Sequence, residues 1–190
     1  MPIKDTTPNG MKRILRLRHW QLFLISWGPL TTFFILFFIR PSSVGDTLLL
    51  WIIVFPVVLV NSFIWVWSLV TFLIPTIAQE ERPKIKLFKI CFWIPTIYIF
   101  YILCFMYFNF FVRKVASFNP ELELKIHMGL TILSMLCIIY GLSFAARTLK
   151  TAELQRNLKV HEYLPELALM ILTPIGMWNI QPRLNKIASE

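Results

Sequence analysis

The chain has 190 residues, of which 57% are hydrophobic and 15% charged, and its mean hydropathy is +0.66. A soluble domain is usually about 45–50% apolar and about 25% charged, so the composition excludes an ordinary soluble domain and requires lipid as a solvent. The formal net charge of +9 would favour nucleic-acid binding in a soluble chain. In a membrane protein the same excess is typical of cytoplasmic loops, and we predict no nucleic-acid partner.

The first apolar run covers residues 20–39 and follows a basic N-terminal segment, residues 1–19. The run is longer than the roughly 7–15 residues of a secretory h-region, so it predicts a retained membrane helix. The second run, residues 47–77, would extend about 46 Å as one helix, against about 30 Å of hydrocarbon. We expect a kink at Pro56 and an end at Pro75.

Two further uncharged runs, residues 90–112 and 126–146, complete a predicted four-helix transmembrane bundle over residues 20–146. Its connecting segments differ in charge. The N-terminal segment and the second and fourth connections hold thirteen Lys and Arg residues, whereas the first and third hold four. Because basic residues accumulate in cytoplasmic loops, this bias predicts a cytoplasmic N-terminus.

The C-terminal part, residues 147–190, is different in kind. A polar, amphipathic helix is predicted over residues 147–162, and the apolar stretch 163–180 that follows is interrupted by Thr173-Pro174 and Gly176. Its cleanest apolar core holds about 11 residues, and stretches of about 10–14 are more often re-entrant or interfacial than spanning. We therefore favour a re-entrant or interfacial segment over a fifth span. The predicted fold class is an all-α integral membrane bundle of four transmembrane helices with a fifth, broken C-terminal membrane segment.

No Asp, Glu, Lys, Arg or His lies in the interior of the four predicted spans. This argues against a proton-coupled transporter, a voltage sensor or an intramembrane aspartyl protease, since such proteins need intramembrane charge. The sequence also has no Gly-rich phosphate loop, Gly-x-Ser-x-Gly or Cys-x-x-Cys motif, and its three cysteines lie in predicted spans. We expect no catalytic residues, no cofactor and no metal site.

Glu166 is the carboxylate that the apolar C-terminal stretch contains. It is either an interfacial acid in the first turns of a helix, favoured by the helix dipole, or a site residue facing a polar cavity. In the second case the candidates for contact with a substrate or partner are Glu166, His161, Asn179 and Arg183.

Small and amide residues in the spans indicate helix packing. Gly141 and Ala145 are four residues apart and Ser134 adds small polar surface, a pattern that favours close helix crossings. Asn61 and Asn109 are amides within the spans, where interhelical hydrogen bonds are expected. These contacts form either within one chain or in a homodimer or with a membrane partner protein.

Residues 172–185 (LTPIGMWNIQPRLN), with the preceding residues 148–155 (TLKTAELQ), carry a resemblance. This quarter of the chain resembles uncharacterised small multi-spanning bacterial inner-membrane proteins. The resemblance implies an inner-membrane setting and brings no activity with it. It would make the Pro-Ile-Gly to Gln-Pro-Arg segment the distinctive part of the family.

Three functions remain open at this point. The first is a non-enzymatic scaffold or accessory subunit that acts through its C-terminal segment. The second is a small oligomeric transporter or channel for a neutral or lipidic solute, since an interrupted backbone at membrane depth normally lines a cavity or lies in protein. The third is a lipid-modifying membrane enzyme.

Overall fold

A computed structural model describes residues 17–39, 44–108 and 120–189, and these residues are helical without strands. The helices are α1 (His19–Ile39), α2 (Val44–Leu73), α3 (Ile85–Tyr107), α4 (Pro120–Leu154), α5 (Val160–Ile171) and α6 (Thr173–Ser189). Two short 3-10 helices, Ile74–Thr76 and Gln79–Glu81, follow α2. Residues 1–16 of the basic N-terminal segment, the connection at 40–43 and residues 109–119 lie outside the described residues.

Three stretches are long and apolar enough to cross a membrane: Pro56–Thr76, Ile85–Met106 and Glu121–Leu154. The expectation of an all-α chain is confirmed for the described residues, as is that of helices long and apolar enough to span a membrane. The apolar stretch of α1, Trp20–Ile35, is shorter. Four spans therefore stay a prediction.

The ends of α2 and α4 follow from local sequence. Helix α2 continues through Pro56 and ends at Leu73, where Pro75 lacks the N–H that a further α-helical turn would need. Helix α4 has 35 residues, about 52 Å at 1.5 Å per residue. Helix α4 therefore continues from the predicted fourth span into the first half of the predicted polar helix and ends at Leu154, so the prediction of one polar helix over residues 147–162 is wrong beyond that point.

The chain divides into two compact units, described separately. The first comprises the described parts of Met1–Pro83 and Leu142–Glu190. In it α1 packs against α2 and α6, and α5 packs against α6. Its core consists of fully buried apolar side chains from α2, α4, α5 and α6: Leu69, Leu73, Ala145, Ala146, Leu149, Met170, Met177, Ile180 and Leu184.

The second unit, Lys84–Gly141, contains α3 and the first two thirds of α4. The Tyr98 hydroxyl joins the two helices, lying 2.6 Å from Thr131 Oγ1 and donating to the carbonyl of His127. The His127 ring stacks on Tyr101 and contacts Phe105, with ring centroids 5.5 and 5.1 Å away. Aromatic packing and one buried hydroxyl therefore hold this pair of helices.

Helices α5 and α6 form an antiparallel hairpin that turns at Leu172. A Cβ atom at Gly176 would lie 2.1 Å from the carbonyl oxygen of Leu169, and Arg183 reaches back to Glu166. In both contacts a residue of α5 meets a residue of α6 on the other side of the turn. Only glycine fits where the two backbones approach so closely. Helix α5 has 12 residues, about 18 Å, which is too short to cross about 30 Å of hydrocarbon.

Candidate functional site

Four charged side chains meet where the end of α4 packs beside the hairpin. Lys150 and Glu153 come from α4, Glu166 from α5 and Arg183 from α6; we call them the charged quartet. Glu166 Oε1 accepts hydrogen bonds from Lys150 Nζ at 2.9 Å and from Arg183 Nη2 at 3.0 Å. Arg183 also donates through Nε and Nη2 to both carboxylate oxygens of Glu153, at 2.6 Å each. Two cations and two anions leave the quartet electrically neutral.

Helical periodicity brings these side chains together. Lys150 and Glu153 lie three residues apart on one face of α4, with 3.9 Å between Nζ and Oε2. Glu166 lies on the inward face of α5 with the buried residues Tyr163 and Met170. The hairpin turn then returns Arg183 to the same level. A bidentate pair of Arg with a carboxylate fixes orientation as well as charge.

Burial makes the quartet energetically important. The side chain of Glu166 is 6% exposed, whereas those of Lys150 and Arg183 are 26% and 31% exposed. Burial is the largest single influence on the pKa of the Glu166 carboxyl and raises it. The hydrogen bonds from Lys150 and Arg183, with the positive charge of Lys150 and a backbone hydrogen bond, outweigh burial, so the pKa lies below its ordinary value. The hydrogen bonds that Arg183 donates to Glu153 raise the pKa of Arg183, which keeps the guanidinium charged.

One carboxylate oxygen of the quartet takes no part in these hydrogen bonds. Glu166 Oε2 is buried and has no hydrogen-bond partner among the described residues. A buried polar atom of this kind is costly unless a small donor such as water reaches it. The remaining carboxylate oxygens are occupied by charged donors, so the arrangement is suited to holding three helices together rather than to transferring protons.

Of the four candidate contact residues, the structure brings Glu166 and Arg183 together. His161 is exposed in the first turn of α5. Asn179 is exposed on α6, and its amide donates to the carbonyl of Ile175 at 3.0 Å. Their partners Lys150 and Glu153 are not among the residues that the sequence indicated as candidates. The available indication was that a carboxylate in an apolar helix needs a cation.

Gln181 forms a second polar junction that the sequence analysis also missed. Its side chain is fully buried; Oε1 accepts from the indole N–H of Trp65 at 3.0 Å. The amide nitrogen donates to the carbonyl of Leu17 at 3.3 Å and to Asn185 Oδ1 at 3.3 Å. Gln181 therefore ties α6 to α2 and to the start of α1.

Gln155 ties the end of α4 to the segment after α2. It has a positive φ of 49°, a conformation that ends the helix. Its side-chain oxygen accepts from the backbone N–H of Ala78 at 3.1 Å, and its amide donates to the carbonyl of Thr76 at 3.2 Å. The next helix is capped by Glu162, which accepts from the backbone N–H of Lys159 at 2.8 Å.

The helix-packing candidates have different surroundings. Asn61 donates its amide to the carbonyl of Ile25 on α1 at 3.4 Å, and Ala145 is fully buried. Ser134 is buried, and its hydroxyl has no partner among the described residues. A Cβ at Gly141 would meet no atom within 4 Å, so the structure shows no close crossing there. Asn109 lies outside the described residues.

Within the part of the chain that the structure describes, no three His, Cys, Asp or Glu residues are grouped so that they could hold a metal ion. Comparison with protein-family models gives no match to this chain. Comparisons with curated proteins and with solved structures likewise give no match.

Proposed function

We propose that this chain is a non-enzymatic integral membrane protein that serves as a scaffold or accessory subunit through its C-terminal segment. In this proposal α1 joins the three long apolar stretches to make four spans. The N-terminus and residues 147–190 then share the cytoplasmic side of a bacterial inner membrane. The distribution of Lys and Arg among the connecting segments supports this orientation.

The observation that carries the proposal is the pairing of Glu166. Its charge is already balanced by Lys150 at 2.9 Å and Arg183 at 3.0 Å. A buried charge is tolerated where partners satisfy it, and such groups can specify one arrangement of the surrounding helices. The quartet thus holds the end of α4, α5 and α6 in one relative arrangement.

In this proposal the helix arrangement that the quartet fixes exposes a defined polar surface on the cytoplasmic side. We call it the connection face: the exposed residues from the end of α4 to the first turn of α5, namely Gln155, Arg156, Asn157, Lys159, Val160 and His161. The cap at Gln155 and the Glu162 cap fix the backbone on either side of it. The charge of Arg156 is balanced by Glu162, and Lys159 adds a further positive charge to this fixed, exposed surface. Such a surface is suited to a partner protein with acidic groups.

Affinity purification in several mild detergents tests the proposal. A partner protein should co-purify in constant stoichiometry with the natural chain and be lost from Lys159→Glu, which reverses a charge on the connection face. Lys125→Glu is the matched control, because Lys125 is exposed near the opposite end of α4. A second copy of this chain as the partner would appear as a dimer mass. A clean monomer in every detergent would overturn the proposal.

A second candidate function is a small oligomeric transporter or channel for a neutral or lipidic solute. The observation that favours it is the helix break at Leu172 near Glu166, whose Oε2 has no partner among the described residues. Glu166→Gln keeps the size of the side chain and should abolish solute flux into proteoliposomes. Unchanged flux in this variant would eliminate the candidate.

A further inference from the structure

The turn of the α5–α6 hairpin carries an apolar surface that is largely exposed in the described chain. Ile171, Leu172 and Ile175 are each more than half exposed, and Trp178 is nearly so. We call these four residues the hairpin tip. No charged residue occurs between positions 167 and 180. Exposure of such an apolar patch to water is unfavourable, so the patch is expected to contact lipid or another protein.

Each of the two polar side chains near the tip donates a hydrogen bond within the hairpin itself. The Thr173 hydroxyl donates to the carbonyl of Met170 at 3.2 Å, and the Asn179 amide donates to the carbonyl of Ile175 at 3.0 Å. The hydroxyl and the amide therefore each donate to a protein carbonyl and not to water. Internal satisfaction of polar groups is the condition for placing a segment in hydrocarbon.

The position of the tip relative to α1 gives its depth. The Trp178 ring packs edge-on against Phe23 at 6.0 Å, while Gln181 bonds to Leu17 just before α1 begins. Phe23 lies four residues after His19, about 6 Å along the helix. Interfacial helices bury their apolar face to about 5–10 Å, so this depth matches the boundary between headgroups and acyl chains.

Charge is segregated along the length of the hairpin. The quartet residues Glu166 and Arg183 lie farther from the turn, where their charges are neutralised within the protein. The tip therefore meets lipid without bringing an unpaired charge with it. Trp178 adds a side chain that is enriched at membrane interfaces.

From these observations we infer that the hairpin tip is a lipid-binding surface seated in the acyl-chain edge of the leaflet where α1 begins. The hairpin enters and leaves on the same side, and it is not a fifth span. The tip anchors the C-terminal segment to the acyl chains, and the connection face stays in water. This inference rests on the proposed placement of α1 in the membrane.

Spin labels in liposomes of phosphatidylethanolamine and phosphatidylglycerol test the inference. A single cysteine is placed at Leu172, at Val160 or at Leu24, in the full chain with its three native cysteines replaced by alanine. Leu24 reports whether α1 lies in lipid, and Val160 reports the base of α5. Oxygen concentrates in hydrocarbon and a nickel chelate in water. The oxygen-to-nickel collision ratio at Leu172 should be several-fold above that at Val160 and close to that at Leu24.

A Leu172 ratio equal to that at Val160 would overturn the inference while leaving the membrane placement of α1 intact. Exclusion of both reagents from Leu172 would also overturn it, because a protein surface would then cover the tip. Aqueous behaviour at Leu24 would overturn both the inference and the proposed topology.

A second measurement needs no variant. The natural chain in the same liposomes is labelled with an apolar photoactivated diazirine and digested. The peptide that contains residues 167–180 should be labelled, and the peptide of the connection face should not. An unlabelled tip peptide beside labelled α1 would contradict the inference.

Discussion

Replacing Glu166 with leucine should destabilise the chain by about 2–3 kcal/mol. Breaking a buried ion pair typically costs about 3–5 kcal/mol, because the partner charge is left uncompensated. Here Lys150 and Arg183 are 26% and 31% exposed, so water screens part of the remaining charge and the lower figure applies. Arg183 also keeps its two hydrogen bonds to Glu153. The charge left without a partner is therefore mainly that of Lys150.

The charge balance predicts a rescue. Glu166→Leu leaves the quartet with one net positive charge, whereas Lys150→Met combined with Glu166→Leu returns it to neutrality. The double variant should recover at least half of the lost stability, since an apolar replacement of a whole pair is often neutral. Glu121→Gln is the control, because the ion pair of Glu121 with Lys125 is exposed. Unfolding in mixed SDS and dodecylmaltoside micelles, followed by circular dichroism, gives the free energies.

Two results would refute this reasoning. One is a Glu166→Leu variant that is as stable as Glu121→Gln. The other is a double variant that is less stable than Glu166→Leu, which would show that Lys150 stabilises the fold through contacts other than the carboxylate.

Further predictions concern the hairpin, the paired thiols, the topology and pH. Gly176→Ala should destabilise the chain by about 1–3 kcal/mol because its Cβ would meet a backbone carbonyl at 2.1 Å, whereas Gly141→Ala, in open space, should leave the melting temperature unchanged or raise it. Cys91 on α3 and Cys137 on α4 lie close to each other, so copper phenanthroline should join them, with a loss of 2 Da by mass spectrometry; their continued alkylation would show a larger separation. A reporter fused after the last residue should be active on the cytoplasmic side, and periplasmic activity would refute the topology. Because the pKa of Glu166 is lowered in the fold, its contribution is complete above the ordinary value of 4.5 and is lost as pH falls through the depressed value, so Glu166→Gln should flatten this part of the stability curve.

Composition and periodicity predicted the elements more readily than their contacts. The excess of apolar residues predicted long helices, and Pro75 predicted the end of α2. Thr173-Pro174 and Gly176 predicted an interruption, which the structure places at Leu172. These features are local, because they depend on hydropathy and on the backbone restrictions of proline and glycine.

The contacts of the site depend on tertiary structure, and the sequence indicated fewer of them. Glu166 is a candidate from the sequence because it is a carboxylate in an apolar stretch. Its partner Lys150, however, lies 16 residues earlier, before the end of α4. Gln181 is an amide in an ordinary polar context, and nothing local indicates that Trp65 and Leu17 will bury it. His161 was grouped with Glu166 by proximity in sequence, yet it lies in the exposed first turn of α5.

The junction at Gln181 has a consequence for how the chain matures in the membrane. The hydrogen bond from Gln181 to Leu17 joins residues 164 positions apart. At a synthesis rate of about 5–20 residues per second, roughly 8–33 s pass between the appearance of the two. Until then, the indole N–H of Trp65 and the carbonyl of Leu17 lack the acceptor and donor that the native fold gives them. The polar contacts of the first two helices with α6 therefore form last, and a chain that stops short of Gln181 would never form them.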